Sequence, residues 1–276
     1  MAINNMTDFD YEKSIWGKNM VGLSWADPAS WRLRQSLKAF AQINSGKILE
    51  VGCGAGQFIR AIKNIKPKVK AHGSDISLEA IKSAKEISSD VIYQVSEKNN
   101  LPYPDNYFDG VVVFDVLEHV KNPEKILSEI RRVLRPEGIF YCFTPCEGGW
   151  TSLWNLLDKL NLKKELTKKF AGHINYFSRK SLNELYKKSG FKILQQNFSE
   201  HFIGQIIGVA SFVLMNRLAK KKNITQMNNE MFFHELNQKT GMGIIKKIIN
   251  WVINFESFIW QKIPSPNTHT VLRKQL

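Results

Sequence analysis

Acidic residues are in short supply in this chain of 276 residues: 25 Asp and Glu face 39 Lys and Arg, a formal net charge of +14. Such an imbalance favours an anionic neighbour, whether nucleic acid, a membrane surface or an acidic substrate. Cysteine is scarcer still. Cys53, Cys142 and Cys146 are the only three, and no two form a C-x-x-C pair. That argues against a zinc knuckle, so no metal is expected, and it suits a reducing compartment. The first ten residues, Met1 to Asp10, lack the basic start and apolar core of a secretory signal, so a cytoplasmic location is expected. The apolar run Phe202 to Met215 falls short of the ~20 residues that span a bilayer. Internal repeats and low-complexity linkers are also missing, so the length suits one large α/β domain with additions.

What the chain does have is the stretch Lys47-Ile48-Leu49-Glu50-Val51-Gly52-Cys53-Gly54-Ala55-Gly56. Ile48 to Val51 reads as a buried parallel strand, and Gly52 to Gly56 as a tight strand-to-helix turn. Glycine belongs where a backbone turns sharply or a ligand approaches it closely. A helix opening near Gln57 would direct its unsatisfied N–H groups at whatever lies over the turn. The dinucleotide fingerprint G-x-G-x-x-G places its third glycine where Gln57 stands here. Asp75, about twenty residues on at the end of a second strand, stands where Rossmann-like folds put an acid on the ribose hydroxyls.

The stretch resembles motif I, L-[DE]-[VI]-G-C-G-x-G, of the class I S-adenosylmethionine-dependent methyltransferases, in the methyltransferase type 11 (UbiE/UbiG-like) subgroup. Further segments resemble the same subgroup. Ser96 to Asp109 is similar to its G-D-A-E-x-L-P-F-x-D-x-S-F-D region, with Glu97 in the place of the first acid, Leu117-Glu118-His119-Val120 to its L-E-H-V signature, Leu134 to Gly138 to L-[RK]-P-x-G, and Gly172 to Ser178 to G-H-x-x-x-F-[ST]. The resemblance covers about residues 45 to 197. It implies S-adenosylmethionine as cofactor, held by Glu50, Gly52, Cys53, Gly54, Gly56, Asp75, Ile76, Glu97, Lys98 and Asp115, with Glu97 at the adenine amine. It implies a Rossmann-like α/β sheet of seven strands in the order 3-2-1-4-5-7-6, strand 7 antiparallel, with helices on both faces.

On that frame, residues 1–44 form an N-terminal segment and a helix from about Pro28 to Ile43. Residues 45–197 form the cofactor-binding core, with a lid at 145–177. Residues 198–266 form a helical insertion between strands 6 and 7, and 267–276 the last strand, Thr268 to Arg273. Trp31 is expected in the core; Trp16 and Trp25 are open. The lid carries an apolar face, Trp150 to Leu160, followed by Lys163, Lys164, Lys168 and Lys169.

Methyl transfer is an in-line displacement that needs alignment, exclusion of water and, for an oxygen of high pKa, a base. His119 and His173, in loops over the strand ends, are the candidates, since histidine titrates near neutrality. Cys146 reads as a small loop residue, because the second cysteine of the RNA cytosine-C5 enzymes has no counterpart after strand 4. The N-P-P-Y-type tetrapeptide of base-amine enzymes is missing as well. The expected acceptor is therefore a small or lipid-linked molecule, methylated at oxygen, and nucleic acid is not the expected partner. The alternatives are an RNA-directed methyltransferase, a non-catalytic cofactor-binding protein, and a nicotinamide enzyme on a related sheet. The helical pattern Ile244 to Trp260, with flanking lysines, suits a helix lying in an anionic membrane interface, on the inner face of the membrane, or two helices packed as a lid.

Overall fold

The computed structural model describes residues 15–97, 100–160, 166–222 and 243–275. The N-terminal stretch before residue 15, Lys98, Lys163 and Lys164 lie outside them. Seven strands form one sheet in the order β3-β2-β1-β4-β5-β7-β6. They are β1 (Gly46–Val51), β2 (Val69–Asp75), β3 (Val91–Val95), β4 (Phe108–Phe114), β5 (Leu134–Pro145), β6 (Phe191–Ser199) and β7 (Asn267–Lys274). β7 is antiparallel to both of its neighbours, β5 and β6, whereas the pairs from β3 across to β5 are parallel.

Both faces of the sheet are covered, which is why the central strands read as unbroken apolar runs. Alternation sorts their side chains. Val111, Val113, Phe140 and Cys142 pack with Ile126, Leu127, Leu182 and Tyr186 on one face. Val112, Phe114, Tyr141 and Phe143 pack with Leu33, Phe40, Phe58 and Ile62 on the other. The first face is closed by α4 (Pro123–Val133) and α7 (Arg179–Lys188), the second by α1 (Ser30–Ala39), α2 (Gln57–Ile65) and α3 (Leu78–Ile87). α3 starts on Ser77, whose Oγ accepts the Ala80 amide. α7 starts on a reciprocal Ser178–Ser181 box.

One boundary differs from the sequence reading. α1 is shorter than residues 28–43, because Asp27 directs its carboxylate to the amides of Gly22 and Ala29, in the turn before the helix. β5 begins at Leu134, inside the segment that resembles L-[RK]-P-x-G, since Leu134 already pairs with Phe108 of β4.

The insertion between β6 and β7 holds α8 (Phe202–Lys222) and α9 (Gly243–Trp260). Here the sequence reading needs correction. The helix of α8 does not stop with the apolar run at Met215; it continues to Lys222 as one helix of 21 residues, long and apolar enough by length and composition to cross a bilayer. The small lid helices α5 (Leu153–Lys159) and α6 (Leu166–Ala171) lie against it. Met215 and Ala219 are buried there with Leu166, beside Trp154 and Phe212. The start of α8 is capped by another helix: the Glu256 carboxylate of α9 accepts the amides of Phe202, Ile203 and Gly204.

α9 is built inside out. Its buried residues are Asn254, Glu256 and Ser257, while Ile244, Ile248, Trp251, Phe258 and Ile259 are 48–72% exposed. The polar side faces the domain because it has work there. The Asn254 amide group donates to the carbonyls of Trp25 and Asp27, and Asn250 donates to that of Ala26. Trp25 packs edge-on to Phe258. Trp31 is buried, as expected.

Candidate active site

The turn after β1 is shaped by its glycines. Gly52 and Gly56 have φ of +74° and +84°, and a Cβ would run into Val116 at the first and the Tyr93 hydroxyl at the second. Glu50 lies beneath the turn, buried, its Oε2 accepting the Ile59 amide at 2.8 Å. It thereby ties α2 to β1, and burial raises its pKa.

The amides of this turn decide what it can hold. Gly52 and Cys53 donate to the Ser74 carbonyl, Gly54 to Asp75 Oδ2 at 2.8 Å, Ala55 to the Trp16 carbonyl at 2.8 Å, and Gly56 to the Cys53 carbonyl. Five consecutive donors are taken by the protein, so a pyrophosphate would find no cradle of the dinucleotide kind. A phosphate-free nucleoside with a zwitterionic tail fits better. Asp75 Oδ1 meanwhile accepts the Ser77 amide at 3.0 Å, which fixes the carboxylate at the strand end. Next to it Ile76 is 46% exposed, an apolar surface beside the ribose acid. Glu97, also exposed, follows β3; Lys98 is outside the described residues.

Trp16 and Gly17 lie over the turn. Arg60 of α2 holds them in place, its Nη2 donating to the carbonyls of Gly17 and Lys18. Asp115, at the end of β4, sits in a left-handed conformation with φ +51°, a strained state for a non-glycine residue and a frequent mark of functional sites. Arg32 of α1 donates to its Oδ2 at 2.6 Å and lies 4.1 Å above the Phe143 ring.

Beyond Asp115 the chain builds a buried polar cluster. The loop Leu117–Val120 is stapled to residues 172–175. The Glu118 carbonyl accepts the amides of Ile174 and Asn175, and the Asn175 side chain donates to the carbonyls of Leu117 and Val120. His119 and His173 therefore come together, ring centroids 5.0 Å apart. His119 Nδ1 lies 3.2 Å from the Gly172 carbonyl, which places the proton on Nδ1 and the lone pair on Nε2. His173 Nδ1 lies 3.1 Å from Glu147 Oε1. Glu118 is fully buried, with neither carboxylate oxygen hydrogen-bonded among the described residues.

The environments drive the two histidines apart. Burial, then the charge on His173, pulls His119 down to about 4. Burial pulls on His173 too, but its pairing with Glu147 and the nearby Glu118 and Asp115 outweigh it, pushing His173 up to about 9. Burial, reinforced by Asp115, raises Glu118. A neutral imidazole and an imidazolium thus share one site at neutral pH, beside a carboxyl whose burial favours its protonated form, the pattern by which acid and base roles are divided. Glu118, His119 and His173 also offer donor atoms within 4.8 Å of one another, close enough to hold a metal ion.

The sequence reading did not single out Arg32 or Glu147. Each acts across a long separation, and no local spacing signals it. Glu118 and Asn175 did stand within quoted motifs, without a role of their own.

A seven-stranded sheet of this order, with a glycine turn, a ribose acid and a polar rim at the strand ends, defines a class I S-adenosylmethionine-binding fold. The family model described as "Methyltransferase domain" matches residues 27–196. An uncharacterized protein of Methanocaldococcus jannaschii is 31% identical over 169 residues, 61% of this chain and 76% of that one. The demethylmenaquinone methyltransferase of Thermotoga maritima is 28% identical over 42% of this chain and 50% of its own. The 27-O-demethylrifamycin SV methyltransferase of Amycolatopsis mediterranei is 28% identical over 47% and 52%. The chain thus spans about half the length of these two named relatives. Among solved structures, the [4+2]-cyclase SpnF shares the fold, with a TM-score of 0.58 at 17% identity over 95% of this chain and 86% of that one. The chain belongs to the methyltransferase-domain family: it is a class I S-adenosylmethionine-dependent methyltransferase, and S-adenosylmethionine is its cofactor.

Proposed function

We propose that the protein methylates an oxygen of a small, lipid-linked acceptor while resting on the anionic inner face of a membrane. The observation that carries this reading is the inverted helix α9, which buries Asn254, Glu256 and Ser257 and turns Ile244, Ile248, Trp251 and Ile259 outward. Phe202 and Ile206 of α8 add to the same exposed apolar surface. Soluble domains rarely leave a large contiguous apolar patch uncovered unless something docks on it. Apolar faces with tryptophan, on helices that also carry the exposed Arg217, Lys220, Lys221 and Lys247, suit the headgroup boundary of an anionic bilayer.

S-adenosylmethionine, when bound, supplies the electrophilic methyl group. The chain's own part is to hold Asp75 at the ribose, keep water out beneath the Trp16–Gly17 segment, and take the acceptor's proton. His119 Nε2 suits that last step, because the imidazole is neutral. His173 beside it suits an anionic acceptor oxygen, because Glu147 keeps it charged. The relative named for the 27-O position of a demethylrifamycin is compatible with an oxygen acceptor, and the one named for demethylmenaquinone with a lipid-linked acceptor.

Two measurements test the reading. Full-length protein should co-sediment with anionic vesicles at low salt, and Ile248→Glu with Ile259→Glu should lower the bound fraction. A supernatant protein under those conditions would overturn the membrane reading. Incubation with isotopically labelled methyl donor and total cell extract should place label in the lipid phase. Label confined to RNA would instead favour the RNA-directed alternative.

A further inference from the structure

A cavity of about 430 Å³ lies behind the polar cluster. One wall is Cys146, Gly148 and Gly149; a second is one side of α7, from Arg179 and Lys180 at its start to Lys187 in its last turn; Pro264 and Ser265 of the loop before β7 close it. Both main walls continue directly from the site. Glu147, between Cys146 and Gly148, is the residue that pairs with His173, and residues 173–177 lead straight into Ser178. The Gly148 amide donates to the Phe177 carbonyl, which binds the two walls together.

The charge of this cavity is lopsided. Three cations line it against a single anion, Glu184. Lys180 and Lys187 form no ion pair among the described residues, although Lys188, one position on, pairs with Glu124 at 3.1 Å. Arg179 lies against the Phe198 ring with its guanidinium carbon 5.8 Å from the centroid, a position that leaves its donors for another acceptor. The positive end of the α7 dipole lies at the Arg179 end of this wall. Trp150, 84% exposed, also lines it, and Leu156 and Leu160, further along the lid, are both more than half exposed. A cationic hollow with an exposed tryptophan in its lining is complementary to an amphiphile, with its anionic group inside and its apolar chain toward the lid.

We infer that this cavity is a binding site for a phosphate-type anionic group, and that it holds the head of the lipid-linked acceptor while the polar cluster acts on the neighbouring part of the molecule. The second half of that statement rests on the acceptor reading above; the anion site does not. Arg179 makes the paired bonds to phosphate oxygens, and Lys187 and Lys180 neutralise the remaining charge.

The test is calorimetric titration of the full-length protein with three probes: inorganic phosphate, a monomeric short-chain phosphatidic acid, and a neutral alkyl glycoside of equal chain length. The phosphatidic acid should bind at one site, at least tenfold more tightly than the glycoside. Arg179→Gln with Lys187→Gln should weaken it at least tenfold, with S-adenosylhomocysteine affinity unchanged. If the double variant loses S-adenosylhomocysteine binding as well, Lys187→Gln alone, at an exposed position, decides by the same criterion. Binding of inorganic phosphate without the lipid supports the anion site and assigns it to a water-soluble phosphorylated molecule. Equal binding of the glycoside, no binding of either phosphate probe, or wild-type affinity in the variants overturns the inference. Vesicle co-sedimentation, read separately through Ile248→Glu, reports on the membrane reading, so either can fail without the other.

Discussion

The half of the sheet around β1 and β4 and the helix α9 obey opposite rules. Around the glycine turn, apolar side chains point inward from both faces of the sheet, and Ile48, Leu49, Val111 and Val112 are fully buried. In α9, asparagine, glutamate and serine point inward and isoleucine and tryptophan point outward. The first region derives its stability from the hydrophobic effect, about 1.5–3 kcal/mol for each large side chain buried. α9 is held by hydrogen bonds to carbonyls of residues 25–27 and to the amides at the head of α8, each contributing ~0.5–1.5 kcal/mol net, or ~1.5–3 where a charge takes part. The difference teaches where each region stores its specificity. The core is complete without a partner, whereas α9 has its apolar surface still to cover.

The largest expected effect lies in the core. Gly52→Val would force a β-branched side chain into a left-handed backbone and against Val116. Left-handed geometry costs ~1–2 kcal/mol and overpacking ~1–3 kcal/mol, so S-adenosylhomocysteine binding should fall about a hundredfold or more, with a lower melting temperature. Asp75→Ala should be milder, since it removes charged bonds of ~1.5–3 kcal/mol each, and should weaken the same ligand without unfolding the protein. Wild-type affinity in both variants would mean the cofactor sits elsewhere.

Glu256→Ala is the corresponding probe of the insertion. It strips three amides at the head of α8 of their acceptor, and unsatisfied donors cost ~1–3 kcal/mol. Hydrogen exchange should quicken in α8 and α9 and stay slow in β1 and β4. Uniform quickening across the sheet would show that the insertion and the core unfold as one unit.

That contrast also explains what could be read from the residues. The glycine turn, Ser77 as a cap, and β7 at 267–274 follow from local signals: a turn that only glycine fits, a hydroxyl at a helix start, a short strand-like run with β-branched Thr268, Thr270 and Val271. The inversion of α9 was not legible. A period of 3.6 identifies an amphipathic helix but does not say which side meets the domain, and the answer lies in carbonyls of residues 25–27, over two hundred positions away. The length of α8 was misjudged for a related reason. Its last turns carry Arg217, Lys220 and Lys221, which interrupt the apolar run but not the helix. The pairing of Glu147 with His173 depends on two loops meeting over the sheet, and neither loop alone announces it.

The smallest expected effect on folding and cofactor binding concerns that pair. His119 is held down at about 4 and His173 up at about 9, so methyl transfer with a neutral base and a charged neighbour should rise through about pH 4, level off, and fall through about pH 9. For stability the signs follow from the same shifts. His173, raised in the fold, contributes stability that is fully present below its ordinary value near 6.5, and that is lost as pH rises through about 9. His119, lowered in the fold, has the reverse sense as a base: the fold pays to keep it neutral once pH drops below about 6.5. Glu147→Gln removes the counter-charge 3.1 Å from His173. With burial then dominant, the alkaline fall should move down by roughly one to three units, while S-adenosylhomocysteine affinity stays as in the wild type. His119→Ala should lower turnover across the whole profile, as the loss of a base does, about a hundredfold. If the alkaline fall stays in place in Glu147→Gln, His173 is not the group that titrates there, and the division of roles between the two histidines is wrong.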